Sequence, residues 1–168
     1  LVPLIDSGES DGVLYSVSAY VADGSLRDRL ARTPMLPVAE ALRIAGEVSA
    51  ALDFAHRAGF VHRDVKPENI LFADGLALLT DFGVARASDP GPDEKMTSPG
   101  IALGTPAYMS PEQAAGEIDC DSRSDVYSLG CVLYEILAGE PPFVGASAGA
   151  VLARHRADAL LVLVGLVL

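Results

Sequence analysis

The sequence predicts an α+β fold, with a few short strands beside a mainly helical remainder. Three observations carry this. Two pairs of short apolar runs are each parted by turn residues. Residues 38–58 repeat apolar side chains at helical spacing, and residues 126–137 do so again behind a polar start. With 168 residues the chain is about one ordinary domain and can bury a core.

The elements follow in order. Residues 2–5 and 13–21 are β-rich runs on either side of Gly8-Glu9-Ser10-Asp11-Gly12, which predicts a hairpin with a turn-rich loop. Ser25-Leu26-Arg27-Asp28 reads as a capping box opening a short helix, with Leu26 and Leu30 one turn apart. Pro34 and Pro37 then break the chain. From Val38 to Ala58, Leu42, Ala45, Leu52 and Ala55 recur at helical spacing and Gly59 supplies the stop, so a long amphipathic helix is expected. Ile70-Leu71-Phe72 and Leu76-Ala77-Leu78-Leu79 flank Asp74-Gly75, a short hairpin. Residues 86–104 are rich in Gly, Pro, Ser and Asp without periodicity, a long loop of the functional kind. Ser122-x-x-Asp125 reads as a second capping box. Val126, Leu129, Leu133, Ile136 and Leu137 then share one face of a helix that is apolar nearly all round and so expected to be buried. Ala148 to Ala157 starts one more helix.

Charge and composition narrow the function. Twelve Lys and Arg against 23 Asp and Glu leave a net charge of −11 and a pI near 4.5. That field repels phosphate backbones and anionic membrane surfaces, so no nucleic-acid partner is expected. Cys120 and Cys131 form neither a metal spacing nor a disulfide framework, and they are read as ordinary thiols in a reducing, cytoplasmic setting. His56 and His155 are expected at the surface. Residues 159–168 form an apolar tail that is too short to span a bilayer, which needs about 20 residues. The chain opens on a strand-like run and closes on this tail, so both ends are read as cuts in a longer protein.

One constellation carries chemistry. His62-Arg63-Asp64-Val65-Lys66-Pro67-Glu68-Asn69 precedes the second hairpin and Asp81-Phe82-Gly83 follows it. Antiparallel strands and a tight turn bring the two segments side by side. Asp64, Lys66, Asn69 and Asp81 then converge at one edge. Two oxygen ligands, a further carboxylate and an ammonium suit a nucleotide held through Mg²⁺, which wants hard oxygen donors and borrows phosphate oxygens.

The strings HRDVKPEN (62–69), DFG (81–83), GTPAYMSPE (104–112) and DVYSLG (125–130) resemble the protein kinase family, closest to bacterial eukaryotic-like Ser/Thr kinases. The resemblance implies a partial kinase-like fold over residues 1–158. Residues 1–21 would be small-lobe strands and hinge, 22–158 the large lobe, and 159–168 a truncated end. It implies a γ-phosphoryl transfer from Mg-ATP to Ser/Thr hydroxyls of proteins. Asp64 would orient the attacking hydroxyl, Asn69 and Asp81 would hold Mg²⁺, and Lys66 would neutralise the transferred group. Thr105 would help orient the hydroxyl substrate. The Ala19 carbonyl and both backbone groups of Val21 would meet adenine, with Leu71 beneath it and Ser18 as a small gatekeeper. His62 and Phe82 would stack in the regulatory spine. Asp125 would accept backbone N–H groups of the catalytic loop. Arg63 would receive a phosphorylated loop residue, Thr97 before Ser98, with Arg86 as an extra partner.

The family's glycine-rich loop, strand lysine and partner glutamate have no counterpart in these residues, nor has the arginine that would pair with Glu112. The piece is therefore expected to be inactive alone, within an active parent; the resemblance allows that parent a membrane anchor and a dimer for autophosphorylation. Two alternatives stand beside this reading. A pseudokinase scaffold has no need of all four polar residues, and a small-molecule phosphotransferase has no need of the platform-like segment 104–112.

Overall fold

The computed structural model describes residues 1–11, 13–82, 106–117 and 120–158. Thr97, Ser98, Arg86 and Thr105, and the tail 159–168, lie outside the described residues. Strands β1 (Leu4–Ser10) and β2 (Val13–Ser18) form one two-stranded antiparallel sheet. Helix α1 (Leu26–Arg32) and the long α2 (Val38–Arg57) follow. Strands β3 (Ile70–Ala73) and β4 (Leu76–Leu79) form the second ribbon. Helices α3 (Pro111–Ala114), α4 (Ser122–Ala138) and α5 (Ala148–Ala157) complete the described chain.

The first hairpin differs from its expectation. Pairing runs through Gly8-Glu9-Ser10 and closes at Ser10 opposite Val13, while β2 stops at Ser18. Asp11-Gly12 is a strong short-turn signal, and the residues before it are extended because the ladder hydrogen bonds outweigh their loop-like composition. The second hairpin forms as expected around Asp74 and Gly75, both at positive φ (49° and 79°). That is the backbone a two-residue turn of matching twist requires.

On α1, Ser25 and Asp28 make the reciprocal capping box, and Leu26 and Leu30 are buried. The buried face of α2 is Ala41, Ile44, Val48, Leu52 and Ala55, whereas Leu42 is 58% exposed. Leu42 is one position off the stripe that faces the core. Ile44, Val48, Ile70, Leu79, Val132 and Ile136 belong to one core cluster, where each large aliphatic chain contributes about 1.5–3 kcal/mol through burial.

Helix α4 corrects two expectations. Its N-cap is Asp121, whose side chain accepts from Arg123 N, so Ser122 and Asp125 form no capping box. Its buried face is also not only the apolar one, although Ile136 is buried and Leu129, Leu133 and Leu137 pack partly buried against the core. Val126 is 61% exposed, while Ser124, Asp125, Ser128, Cys131, Val132 and Glu135 are buried with Ile136. Burial of the polar members is tolerable because each has a partner. Ser124 donates to Glu112, Ser128 Oγ donates to Tyr108 O at 2.7 Å, and Glu135 is gripped by Arg27 and Tyr108. Burial pushes the Cys131 thiol up to about 12, which keeps it protonated. The two histidines read as surface residues are not there: His155 is fully buried and His56 is half-buried. No helix among the described residues is long and apolar enough to cross a membrane.

Candidate active site

The site is built on the loop between α2 and β3. Asp64 and Lys66 are joined by an ion pair, Lys66 Nζ to Asp64 Oδ2 at 2.7 Å. Pro67–Asn69 make one 3₁₀ turn, which swings Asn69 back onto Asp64. The Asn69 Nδ2 group donates to Asp64 O at 2.8 Å and to its Oδ2 at 3.1 Å. Both amide hydrogens are thereby spent on one residue, and the side-chain Oδ1 of Asn69 has no partner among the described residues and can serve as a ligand.

The β3–β4 ribbon delivers the other segment. Ile70 pairs with Leu79, and Thr80 N donates to Asn69 O at 3.0 Å. Asp81 is therefore one residue beyond the group bonded to Asn69. It is exposed, forms neither a hydrogen bond nor an ion pair to a described residue, and has φ of +59°. Arg63 also has a left-handed backbone, at φ +65°. Such conformations cost energy and persist where the surroundings over-determine them.

Asp125 is the group that over-determines Arg63. Its carboxylate is fully buried. Oδ2 accepts from His62 N at 2.8 Å and lies 2.7 Å from His56 Nε2, while Oδ1 accepts from Arg63 N at 2.7 Å. From the other side, Gln113 Nε2 donates to Arg63 O at 2.7 Å. Arg63 Nε is buried and without a hydrogen-bond partner among the described residues.

His62 links the two segments. Its Nδ1 accepts from Asp64 N at 3.2 Å, so Nε2 must carry the proton and donate to Thr80 O at 2.8 Å. Burial holds its pKa below the ordinary histidine value, against the Thr80 carbonyl and the carboxylates of Asp125, Asp64 and Asp81. The ring packs on Phe82 with centroids 4.5 Å apart. Leu71 is half-buried on β3, which is tied to the chain entering α1 by a bridge with Ser25 and by Phe72 N donating to Gly24 O at 3.0 Å. At the head of the large body, Ala19 N donates to Pro3 O at 3.1 Å, and Ala19 and Val21 are half-buried.

Glu112 is not left unpaired, as the lack of an arginine suggested. The Ser124 hydroxyl donates to it, and with Ser110 this outweighs burial and lowers its pKa. Sequence reading missed a second cluster. Arg27 Nε meets Glu68 at 2.9 Å and its Nη1 meets Glu135 at 2.7 Å, while Tyr108 donates to Glu135. Burial opposes the Arg27 charge, but its bonds to Glu135 and Glu68 prevail and raise its pKa. Tyr108 is raised by burial and then by Glu135. Arg27 and Glu135 are 108 positions apart, a separation that no spacing rule reaches.

The donor set fits a magnesium nucleotide. No cluster of three or more His, Cys, Asp or Glu that could cage an ion occurs among the described residues. Mg²⁺ needs none, because it takes one or two protein oxygens and completes its shell with phosphate and water. The Asp81 carboxylate and the Asn69 side-chain oxygen, neither of them bonded to a described residue, are such oxygens.

A ribbon-delivered carboxylate, a loop holding Asp, Lys and Asn, and a helical body anchoring that loop by a buried carboxylate make up this site. The chain belongs to the protein kinase domain family, whose model matches residues 1–163. It is 44% identical over 160 residues to the serine/threonine-protein kinase PknB of Mycobacterium leprae, covering 92% of this chain and 25% of that protein. It is 46% identical over 161 residues to PknB of Mycolicibacterium smegmatis, with the same two shares. The serine/threonine-protein kinase PknD of Mycobacterium tuberculosis is 44% identical over 160 residues, 94% of this chain and 23% of that protein. The chain thus spans about a quarter of the length of these relatives.

Proposed function

We propose that these residues carry the phosphotransfer site of an ATP-dependent protein Ser/Thr kinase, with residues 1–21 as small-lobe strands and hinge and 22–158 as large lobe. The observation that carries the reading is the Asp64–Lys66–Asn69 knot beside the uncommitted Asp81. Asp64 holds the acceptor hydroxyl and takes up its proton, and Lys66 exchanges its Asp64 partner for phosphate oxygen. Asn69 and Asp81 supply oxygen ligands to Mg²⁺, which when bound offsets the charge of the nucleotide phosphates. Ala19 and Val21 offer backbone groups to adenine, with Leu71 beneath. Thr105 orients the substrate hydroxyl, and Arg63, whose buried Nε has no hydrogen-bond partner among the described residues, receives a phosphate on Thr97 or Ser98. Its partners are proteins bearing Ser or Thr, among them a second copy for autophosphorylation, in the cytoplasm.

The test is labelled phosphate transfer from Mg-ATP to a Ser/Thr peptide library by the full-length gene product. Asp64→Asn is expected to lower kcat about 10²–10⁴-fold. A folded protein that binds Mg-ATP but transfers phosphate to no peptide would overturn the reading in favour of a scaffold. Transfer to metabolites alone would favour a small-molecule phosphotransferase.

A further inference from the structure

The edges of a two-stranded ribbon carry backbone groups that must find partners outside it. In β3–β4, Phe72 and Ala77 stand opposite one another, and both turn their N–H groups outward. On the β3 edge Phe72 N is taken by a backbone carbonyl, Gly24 O. On the β4 edge Leu79 O accepts from Val2 N at 3.0 Å, and Val2 belongs to the segment before β1. The polar ties from the turn and β4 to the helical body come from two side chains of α2. Glu47 Oε2 accepts from Ala77 N at 2.7 Å, and Arg43 Nη1 donates to Gly75 O at 2.8 Å. The two side chains are also locked to each other, Arg43 Nη1 to Glu47 Oε1 at 2.8 Å and to Oε2 at 2.9 Å. Asp23 adds a third hold on the turn by accepting from Asp74 N at 3.1 Å.

Helix stability does not account for this pair. On a helix surface an acid and a base four positions apart stabilise best with the acid first. Asp53 and Arg57 of the same helix follow that order, are both exposed, and make no hydrogen bond to a strand among the described residues. Arg43 and Glu47 have the reverse order, Glu47 is half-buried, and both reach the ribbon. Apolar burial sets how deep the ribbon lies, since Ala77 and Leu79 share a core cluster with Ile44 and Val48. That force has no direction. Charge-assisted hydrogen bonds do have one, and these fix how the ribbon is rolled on α2. The roll matters at the far end. Asn69 directly precedes β3 and is tied to Asp64, whereas Asp81 follows β4 after one intervening residue and takes its place from the strand.

We propose that Glu47 and Arg43 are positioning residues for the magnesium-nucleotide side of the site. By clasping the turn and the outer edge of β4 from α2, they hold the ribbon at the roll that sets the Asp81 carboxylate beside Asn69. This deepens the kinase reading above and rests on it. The clasp acts on the ribbon and on no other part of the site, so its loss weakens the hold on magnesium nucleotide and spares the protein acceptor.

The experiment compares the full-length wild type with Glu47→Ala, Glu47→Gln and Asp53→Ala. Ala removes the acceptor of Ala77 N, Gln keeps one acceptor oxygen without the charge, and Asp53→Ala deletes an acid of the same helix that does not reach the ribbon. Glu47→Ala is expected to raise the Kd for Mg-ADP, read by calorimetry, and the Mg²⁺ concentration for half-maximal transfer, each about tenfold. KM for a peptide acceptor should stay within about twofold. Glu47→Gln should recover part of the loss, and Asp53→Ala should move neither quantity. Amide hydrogen exchange at 76–79 should quicken in Glu47→Ala while 62–66 is unchanged. A Glu47→Ala protein that melts earlier yet binds Mg-ADP as the wild type does overturns the proposal. Equal shifts for nucleotide and acceptor, an equal effect of Asp53→Ala, or unchanged exchange at Ala77 does the same. If Glu47→Ala does not fold, Arg43→Met, which releases Gly75 O and spares Ala77 N, carries the comparison with a smaller shift. A wild type that binds Mg-ADP and transfers no phosphate sinks the kinase reading, and calorimetry with exchange then decides the clasp by itself.

Discussion

One carboxylate decides the backbone at residues 62–63. Asp125 receives the amides of His62 and Arg63 and the ring of His56 on a fully buried carboxylate. Asp125→Asn keeps the shape but swaps one acceptor oxygen for a donor that faces other donors. The expected cost is about 3 kcal/mol, read by urea unfolding, together with loss of transfer activity. A smaller effect than about 1 kcal/mol would mean that the left-handed Arg63 is held by something else. His62 gives the pH dependence. In the unfolded chain a histidine takes a proton as pH falls through about 6.5, while the buried folded ring resists it. Over that window the unfolded state binds more protons, so stability falls as the solution is acidified below about 6.5. Urea midpoints at pH 7.0 and 5.5 check this, and His62→Phe should flatten the difference. His155 acts in the same direction, and carboxylates with lowered pKa such as Glu112 contribute only at more acid pH.

At the scale of elements, ends are better determined than faces. Gly139 closes α4 with φ of 85°, and a Cβ there would come within 3.0 Å of Met35 Cγ. Gly139→Ala is expected to cost about 1–2 kcal/mol, measured by thermal unfolding, with no change in nucleotide binding. Ends were legible where caps and Asp-Gly pairs act locally, as in the α1 box and the Asp74-Gly75 turn, whereas the Gly139 stop and the Asp121 cap of α4 were not read. Faces depend on distant partners. Leu42 and Val126 have the right chemistry and the wrong azimuth, and Ser124, Ser128 and Glu135 are buried only because Glu112, Tyr108 and Arg27 arrive to meet them. The Asp64–Lys66–Asn69 knot was readable because its members lie within six residues and the ribbon fixes Asp81 beside them. The Arg27 cluster and His155 were not, because their partners come from other parts of the chain.

The whole molecule is bound together by such long-range polar ties. Arg27 joins α1, the loop before β3 through Glu68, and α4 through Glu135, whose side chain is 6% exposed. Arg27→Met should destabilise the protein by about 3 kcal/mol by stranding that carboxylate. Adding Glu135→Gln should recover part of the loss, a coupling read in a double-mutant cycle. Equal, additive losses would show that the two side chains act independently. The tie between Asp125 and Arg63 spans 62 positions of sequence, and this sets an order of events at the ribosome. At about 5–20 residues per second, several seconds of translation separate the emergence of the loop from that of its anchor. Until then the Arg63 amide has no carboxylate to hold its left-handed twist, so a nascent chain halted short of α4 carries every one of the Asp64, Lys66, Asn69 and Asp81 side chains and still lacks the anchor of the loop that bears them.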